Sequence, residues 1–352
     1  MTTTGRRSLL GRRRNHGSPH QRRSVRRRAR RDGARRVLGF LVAGESPRYC
    51  ADFARTSLAD DDLPWVEKDG FAFGQYAIDT QLARELAASM IDVKGFDPAP
   101  FSARIADLFE SGMALSAGKA TTRAARRLAS GMVWAQSGEA APAAGNGGAI
   151  RAVPIGLSFK DPDKRSGAAA LQAEVTHHDE RVQAAAQLVA EAVWLAATAP
   201  DMPRRTFLDQ IVATVEPLDP RLANGARTLE RVLGQPADKA ASMLCQAGHN
   251  PDDGYPTTTA ISGFATPSTL FVLQAYLRAP DDLLKVLELA LSGGGDVASC
   301  GAFAGALVGA RLGLSGLGPR LAGWAAQLND RGEDGRDHLV DLGRRLVDRK
   351  RR

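Results

Sequence analysis

The apolar residues of this chain recur every three or four positions, and this spacing constrains its fold more than any other feature. In residues 74–90, Leu82, Leu86 and Met90 fall on one face of a helix. The same spacing runs through a second set of residues, Val182, Ala186, Val189 and Val193. No segment alternates apolar and polar residues as a half-buried strand would. The pattern predicts an all-α fold, a compact single domain built from many helices.

Two consecutive helices are predicted near the C-terminal end, on either side of a glycine run. The first has Asp281 as its N-cap and an apolar stripe of four leucines, Leu283, Leu284, Leu287 and Leu291. Gly293–Gly295 end that helix. The second begins at Val297 and consists largely of small residues that allow close helix contacts, so we expect it to be central. The Gly- and Pro-rich segments 138–148 and 250–268 are predicted loops.

Composition narrows the class of protein. Hydrophobic residues make up 43% of the chain and aromatic residues only 6%, which favours packed helices over a β-sandwich. Cys50, Cys245 and Cys300 have no paired spacing, so we expect reduced thiols in a cytoplasmic protein. The longest uncharged candidate for a membrane span, Val297 to Ala310, has 14 residues. A span needs roughly 20 residues, so we expect no membrane partner.

The positive charge of the chain is concentrated in its first 36 residues. They contain 14 arginines and one acid, Asp32, for a net charge of +13 against +8 for the whole chain, which leaves the remainder at −5. We expect residues 1–36 to be a disordered arginine-rich tail. Because the run lacks aromatic residues for base stacking, any nucleic-acid binding should be non-specific and made through phosphate contacts.

Three explanations of this tail are open: a nucleic-acid-binding arm, a twin-arginine export signal, or a translated leader from a start codon set too far upstream. Arg35 and Arg36 precede an apolar run, Val37 to Gly44, as in an export signal. That run has only eight residues before Glu45, which favours the leader or a passive tail.

Two predicted helix starts carry acidic residues. Asp296 follows the glycine run and lies three residues before Ser299, so both side-chain oxygens belong to one helix end. Asp79 and Thr80 open the helix of residues 74–90. N-capping is the ordinary role of an acid at either place. If the two helix starts converge, their oxygens form the kind of cluster that binds hard cations.

Two further segments predict a binding surface. The first is a tight loop of four residues before a helix, Gly145, Asn146, Gly147 and Gly148. Its N–H groups suit a phosphate, although an ordinary Asn-Gly turn explains the same sequence equally well. In the second segment, Thr176 and His177 precede a helix with Asp179 as its predicted N-cap. A single histidine in such a place is ordinarily structural.

Taken in order, these segments resemble the ADP-ribosylglycohydrolase family, whose founding member reactivates dinitrogenase reductase. The similar pieces are "GQYAIDTQLARELAASM" at 74–90, "GNGGAIRAVPIG" at 145–156, "THHDERVQAAA" at 176–186 and "GGGDVASCGAFAGALVGARLGL" at 293–314. The run from Pro319 to Leu328 resembles the closing segment of the family. The resemblance covers roughly residues 37–328 as one domain and leaves out the tail at 1–36 and a charged C-terminal helix or tail at 329–352.

The resemblance implies a hydrolase that cuts the glycosidic bond of an ADP-ribosylated protein or a related ADP-ribose conjugate, with Mg²⁺ in an all-α cleft. It implies Asp79, Asp296 and Ser299 as metal ligands, and the two aspartates also as catalytic residues. It implies substrate contacts from the loop of residues 145–148 and from His177.

Several positions depart from the motifs of the family. Its first motif is usually Thr/Ser-Asp-Asp-Thr/Ser, and here Ala77 and Ile78 replace the first two residues. Its last motif is usually Gly-Gly-Asp-x-Asp-Thr/Ser, and here Ala298 replaces the second aspartate. Glu45, near the N-terminal motif, is a further candidate carboxylate. The remaining oxygens suit one hydrated Mg²⁺ better than a bridged pair. The alternative function is therefore a catalytically silent ADP-ribose-binding module.

Overall fold

The computed structural model of the protein describes residues 42–58, 74–253 and 258–348. Within these ranges the regular secondary structure is helical, and β pairing is limited to isolated bridges such as the one between Gly145 and Phe264. This confirms the predicted all-α fold. The tail predicted over residues 1–36 lies outside the described residues.

The described helices are listed here in chain order, in two groups. The first group is α1 (Pro47–Ser57), α2 (Ile78–Asp92), α3 (Pro98–Glu110), α4 (Lys119–Ala129), α5 (Trp134–Ser137), α6 (Gly147–Ile150), α7 (Val153–Ser158) and α8 (Pro162–Glu174). The second group is α9 (Glu180–Thr198), α10 (Arg204–Val215), α11 (Pro220–Val232), α12 (Ala237–Leu244), α13 (Ala265–Arg278), α14 (Leu283–Leu291), α15 (Val297–Leu312), α16 (Gly318–Ala325) and α17 (Arg336–Asp348). Short 3₁₀ turns occur at Pro251–Asp253 and Leu314–Leu317.

Helices α9 and α13 form the centre of the core. The predicted apolar stripe of α9 is completely buried, and so are residues on its other faces, including Ala185 and Leu188. All but the last residue of α13 is buried. Helix α9 packs against α7, α8, α10, α13 and α15, which explains why it is apolar all round. The predicted stripe of α2, Leu82, Leu86 and Met90, also faces the core.

Helix α15 is less central than its small residues predicted. One face, with Phe303 and Leu307, is buried against α9, α13 and α14. On the opposite face Gly305 and Gly309 are partly exposed, and a Cβ added to either would meet no atom within 4 Å. Small residues permit close approach, but only the positions of the neighbouring helices decide whether it happens.

No single described helix has the length and hydropathy of a membrane span. One pair, Val297–Leu312 with Leu314–Ala325, meets that criterion only when joined across a bend of 111°. The three cysteines are free thiols buried in the interior, as predicted.

Three details of the predicted secondary structure were wrong. Asp282, and not Asp281, is the N-cap of α14, because its carboxylate accepts the Lys285 N–H at 3.0 Å. Asp281 instead accepts a hydrogen bond from Arg311. Of the predicted leucine stripe, only Leu291 is fully buried, because α14 lies between two apolar clusters and divides its side chains between them. Helix α13 begins at Ala265, inside the predicted loop 250–268.

The C-terminal segment packs on α2 through a buried carboxylate. Asp330 is 2% exposed and accepts hydrogen bonds from Gln75, Gln81 and Arg84 at 2.9–3.1 Å. Helix α17 follows and packs against α2. The charged residues after 328 are thus joined to the same domain as the helix that carries Asp79.

Candidate functional site

The N-terminal ends of α2 and α15 meet at a group of residues that we call the carboxylate corner: Asp79, Asp296 and Ser299. Asp79 lies in the first turn of α2 and does not cap it. Asp296 is the N-cap of α15, where its Oδ1 accepts the Ser299 N–H at 3.4 Å. The Ser299 Oγ donates to Asp79 Oδ2 at 2.8 Å. Ser299 therefore links both carboxylates, and the three predicted metal ligands are brought together.

The glycine run before α15 places Asp296 in this corner. Gly294 and Gly295 have φ angles of 64° and 68°, a region that side chains other than glycine rarely adopt. A Cβ on Gly295 would lie 2.3 Å from the Ile261 carbonyl oxygen. The next N–H, that of Asp296, donates to the same oxygen at 2.9 Å. The chain can approach the segment around Ile261 this closely only because position 295 is glycine.

Asn146 holds the second oxygen of Asp296. Its Nδ2 donates to Asp296 Oδ2 at 2.9 Å, and its backbone N–H donates to the Gly263 carbonyl at 2.8 Å. A Cβ on Gly263 would lie 3.0 Å from Asp296 Oδ2, so this position leaves room for the carboxylate. Both hydrogen-bonding groups of Asn146 are therefore used within the protein. Its side-chain amide binds the Asp296 carboxylate, and its backbone N–H binds the Gly263 carbonyl.

Burial gives Asp79 an unusual proton affinity. Asp79 is 7% exposed, and burial, together with the nearby charge of Asp296, raises its pKa to about 7. The hydrogen bond from Ser299 and the positive charge of Arg151 act in the opposite direction without cancelling this effect. Near neutral pH the ligand-free corner thus carries less negative charge than two carboxylates would suggest.

The donor set of the corner limits the metal that it can hold. The described residues contain no group of three or more His, Cys, Asp or Glu side chains placed to bind a metal ion. The two aspartates and the Ser299 hydroxyl fit one hydrated Mg²⁺, whose remaining ligands would be water. They do not fit a bridged pair, because Ile78 and Ala298 supply no oxygen from their side chains.

Glu45 is close to the corner through its backbone. The Gly44 N–H donates to the Gly295 carbonyl at 2.8 Å, and the Gly295 N–H donates to the Glu45 carbonyl at 3.0 Å. The Glu45 side chain is exposed. The structure thus places the backbone of Glu45 beside the start of α15, and a role for its carboxylate stays a prediction.

A second surface, which we call the histidine wall, consists of the loop of residues 145–148 and His177. The imidazole lies against this loop: a Cβ on Gly145 would be 3.2 Å from His177 Nε2, and one on Gly148 would be 2.8 Å from Nδ1. Burial, with the charge of Arg151 adding to it, lowers the pKa of His177 to about 3. The ring is therefore neutral at physiological pH.

Sequence reasoning missed a fully buried charged residue near the site, Arg151, which is 0% exposed. Its Nε donates to Gln172 Oε1, and its Nη2 donates to the Gln172 carbonyl and to Thr176 Oγ1. Its guanidinium lies 5.4 Å from the ring centroid of Phe101. The only signal in the sequence was an arginine inside an otherwise apolar stretch, 149–157, which is unusual in a buried segment.

A family model described as ADP-ribosylglycohydrolase matches residues 19–352. This chain belongs to the ADP-ribosylglycohydrolase family. The match extends past both ends of the resemblance at 37–328, so it takes in part of the arginine-rich tail and the whole C-terminal segment.

Similar proteins agree with this assignment. The chain is 25% identical over 301 residues to the ADP-ribosylhydrolase ARH3 of Danio rerio, covering 78% of this chain and 77% of the relative. It is 26% identical over 239 residues to an uncharacterized protein of Archaeoglobus fulgidus, covering 68% and 72% of the two chains. A solved structure of an ADP-ribosylglycohydrolase-related protein complex has the same fold, with a TM-score of 0.60 at 23% identity over 80% of this chain and 83% of that chain.

Proposed function

We propose that the protein hydrolyses the glycosidic bond of an ADP-ribosylated protein or a related ADP-ribose conjugate at the carboxylate corner. The observation that carries this proposal is the bridging of Asp79 and Asp296 by Ser299, which joins the N-terminal ends of two helices at one point. Family membership supports a hydrolase of this general type.

The residues divide into two tasks. Asp79, Asp296 and Ser299 would hold one Mg²⁺, which when bound supplies a charge that orients ribose hydroxyls and activates water. Asn146 keeps Asp296 in place through its side-chain amide. The histidine wall would bind the phosphate and hydroxyl oxygens of ADP-ribose through the His177 ring and the partly exposed backbone of Gly145 and Gly147.

A second candidate function is a catalytically silent module that binds ADP-ribose. One observation favours it: Ile78 and Ala298 stand where the family has carboxylates, and Ile78 is 7% exposed as part of the hydrophobic core. The positions that would complete a two-metal site are therefore apolar, while the histidine wall keeps the motifs of the family.

Release of ADP-ribose from proteins carrying arginine-linked or serine-linked ADP-ribose tests the first function. We expect release that increases with Mg²⁺ and is lost in Asp296→Ala. The matched control is Asp282→Ala, which removes the N-cap of α14 far from the corner. Equal loss in both variants would show a general effect of losing a cap and would contradict the assignment of Asp296.

Calorimetry with free ADP-ribose separates the two functions. Binding without release supports the silent module, and binding with Mg²⁺-dependent release supports the hydrolase. Absence of binding at millimolar ADP-ribose, in a protein that melts cooperatively, would contradict both.

A further inference from the structure

Four buried polar side chains connect the two halves of the histidine wall. They are Arg151, Gln172 and Thr176, each 0% exposed, and His177, which is 2% exposed. Arg151 bonds to Gln172 and Thr176, Gln172 reaches the loop of residues 145–148, and Thr176 reaches the imidazole of His177. Polar groups buried this deeply are costly unless paired, so the arrangement has a fixed direction of hydrogen bonding.

The Thr176 hydroxyl contacts Nδ1 of His177 and so bears on which ring nitrogen carries the proton. Its oxygen accepts Arg151 Nη2–H at 2.8 Å, and a guanidinium can only donate. The hydroxyl hydrogen then has two acceptors within reach, His177 Nδ1 at 2.8 Å and the Ala173 carbonyl at 3.4 Å. The threonine oxygen has a second lone pair and could instead accept an Nδ1–H while donating to Ala173, but the shorter distance favours donation to Nδ1. With Nδ1 as the acceptor, the neutral ring bears its hydrogen on Nε2.

The Nε2–H faces the loop. Nε2 is the atom nearest to a Cβ placed on Gly145, at 3.2 Å. Because burial lowers the pKa of His177 to about 3, the ring is neutral near neutral pH. The wall thus offers one neutral donor beside a loop that has no side chain larger than that of Asn146.

Gln172 fixes the other half of the wall. Its Oε1 accepts from Arg151 Nε at 2.7 Å, so its amide nitrogen must point the other way, where it donates to the Gly148 carbonyl at 2.7 Å. The Gly148 carbonyl oxygen is thereby hydrogen-bonded within the protein and does not face the ligand.

We propose that Arg151 is a positioning residue for ligand binding: through Thr176 it holds His177 as the Nε2–H tautomer, and through Gln172 it holds the Gly148 carbonyl away from the ligand. The ligand atom that this arrangement recognises is a hydrogen-bond acceptor, a phosphate or hydroxyl oxygen of ADP-ribose. The inference rests on the proposed function for the identity of the ligand but not for the tautomer, which belongs to the free protein.

Nitrogen-15 NMR of histidine-labelled protein tests the tautomer without ligand. The chain has six histidines, and a His177→Gln variant assigns the resonances of His177. We expect wild type to show a protonated Nε2 and an unprotonated Nδ1. Thr176→Val, which has nearly the same shape but no hydroxyl, should shift His177 toward the Nδ1–H form. Thr176→Ser keeps the hydroxyl and should retain the wild-type signals.

The same variants are then titrated with ADP-ribose. Thr176→Val should weaken binding about tenfold, as expected for loss of one aligned hydrogen bond, while Thr176→Ser should bind like wild type. Arg151→Met, which removes the cation and keeps the length, should change the His177 signals in the same direction as Thr176→Val. If Arg151→Met does not fold, the comparison of Thr176→Val with Thr176→Ser still tests the tautomer of His177.

Two outcomes would overturn the inference: an Nδ1-protonated His177 in wild type, or equal spectra and affinities for Thr176→Val and Thr176→Ser. A wild type with the expected tautomer but without ADP-ribose binding would uphold the hydrogen-bond direction and contradict the proposed function instead.

Discussion

The carboxylate corner and the histidine wall are joined through Asn146 of the wall, which bonds to Asp296 of the corner, yet the two differ in how they are built. The wall keeps the motifs of the family and is supported from behind by buried hydrogen bonds of Arg151 and Gln172. In the corner, Ile78 and Ala298 stand at positions where the family resemblance implies carboxylates. Clustered carboxylates repel one another and cost stability, so we expect changes in the corner to be tolerated better than changes at tightly packed glycines of the wall.

From this comparison we expect the largest loss of stability for a substitution at a tightly packed glycine of the histidine wall. In Gly148→Val the new side chain would begin 2.7 Å from Val182 Cγ1 and 2.8 Å from His177 Nδ1. We expect a loss of at least about 3 kcal/mol in the free energy of unfolding, measured by denaturant titration. Gly147→Ala is the control: its nearest new contact is at 3.7 Å, and the change should stay within about 0.5 kcal/mol. Similar losses in both variants would contradict the tight fit.

Restoring the family carboxylates tests the corner. Ile78→Asp combined with Ala298→Asp should destabilise the metal-free protein by about 3 kcal/mol, because charges are added beside Asp79 and Asp296. Mg²⁺ at 100 times its dissociation constant should return about 2.7 kcal/mol of that loss.

The control for this double variant is Ile78→Asn with Ala298→Asn, which adds polarity without charge and should gain nothing from Mg²⁺. Thermal melts with and without Mg²⁺ measure both effects. If the aspartate variant binds no more Mg²⁺ than wild type, positions 78 and 298 do not face a common site.

Asp79 should make the protein less stable as pH rises. Its pKa is about 7 in the folded protein and has its ordinary value of 3.8 in the unfolded chain. Between these values the folded state binds the proton that the unfolded chain has released. The stability from the protonated form is thus fully present below about pH 4 and lost as pH rises through about 7.

Asp79→Asn removes this titration. At pH 8 we expect the variant to be more stable than wild type by on the order of 2 kcal/mol, with little difference at pH 4. Melting temperatures from pH 4 to 8 measure the effect. Parallel curves for the two proteins would show that Asp79 is not the group responsible.

The smallest effect on stability is expected for Asp296→Ala. The variant loses the N-cap of α15 and the hydrogen bond from Asn146, and should be destabilised by about 1 kcal/mol. Its Mg²⁺-dependent release of ADP-ribose should be abolished. A larger loss than that of Gly148→Val would reverse the comparison between corner and wall.

Much of the fold followed from the sequence because it depends on local signals. The spacing of Leu82, Leu86 and Met90 predicted which face of α2 is buried, and glycines 293–295 marked the end of α14. The prediction errors arose where a residue distant in sequence determines the local structure. Asp281 and Asp282 are both possible N-caps of α14. Arg311, which is distant in sequence, donates a hydrogen bond to Asp281, and Asp282 caps the helix.

The site was predicted in part. Motif order and residue type identified Asp79, Asp296, Ser299 and His177, and the structure brings the first three together. Arg151 was not identified, because its partners Gln172 and Thr176 lie more than 20 positions away and no pattern links them. Side-chain hydrogen bonds between distant segments leave no periodic trace in a sequence.

The sequence by itself determined that this chain folds into helices. It also indicated the glycines that allow sharp turns and the carboxylates that match the family motifs. These properties depend on residue type and on spacing within one segment. Only the tertiary structure decided that Ser299 joins Asp79 to Asp296, that Asn146 holds a carboxylate, and that the Thr176 hydroxyl lies against Nδ1 of His177. Each depends on the distance and direction between atoms of separate segments, which the packing of the core sets.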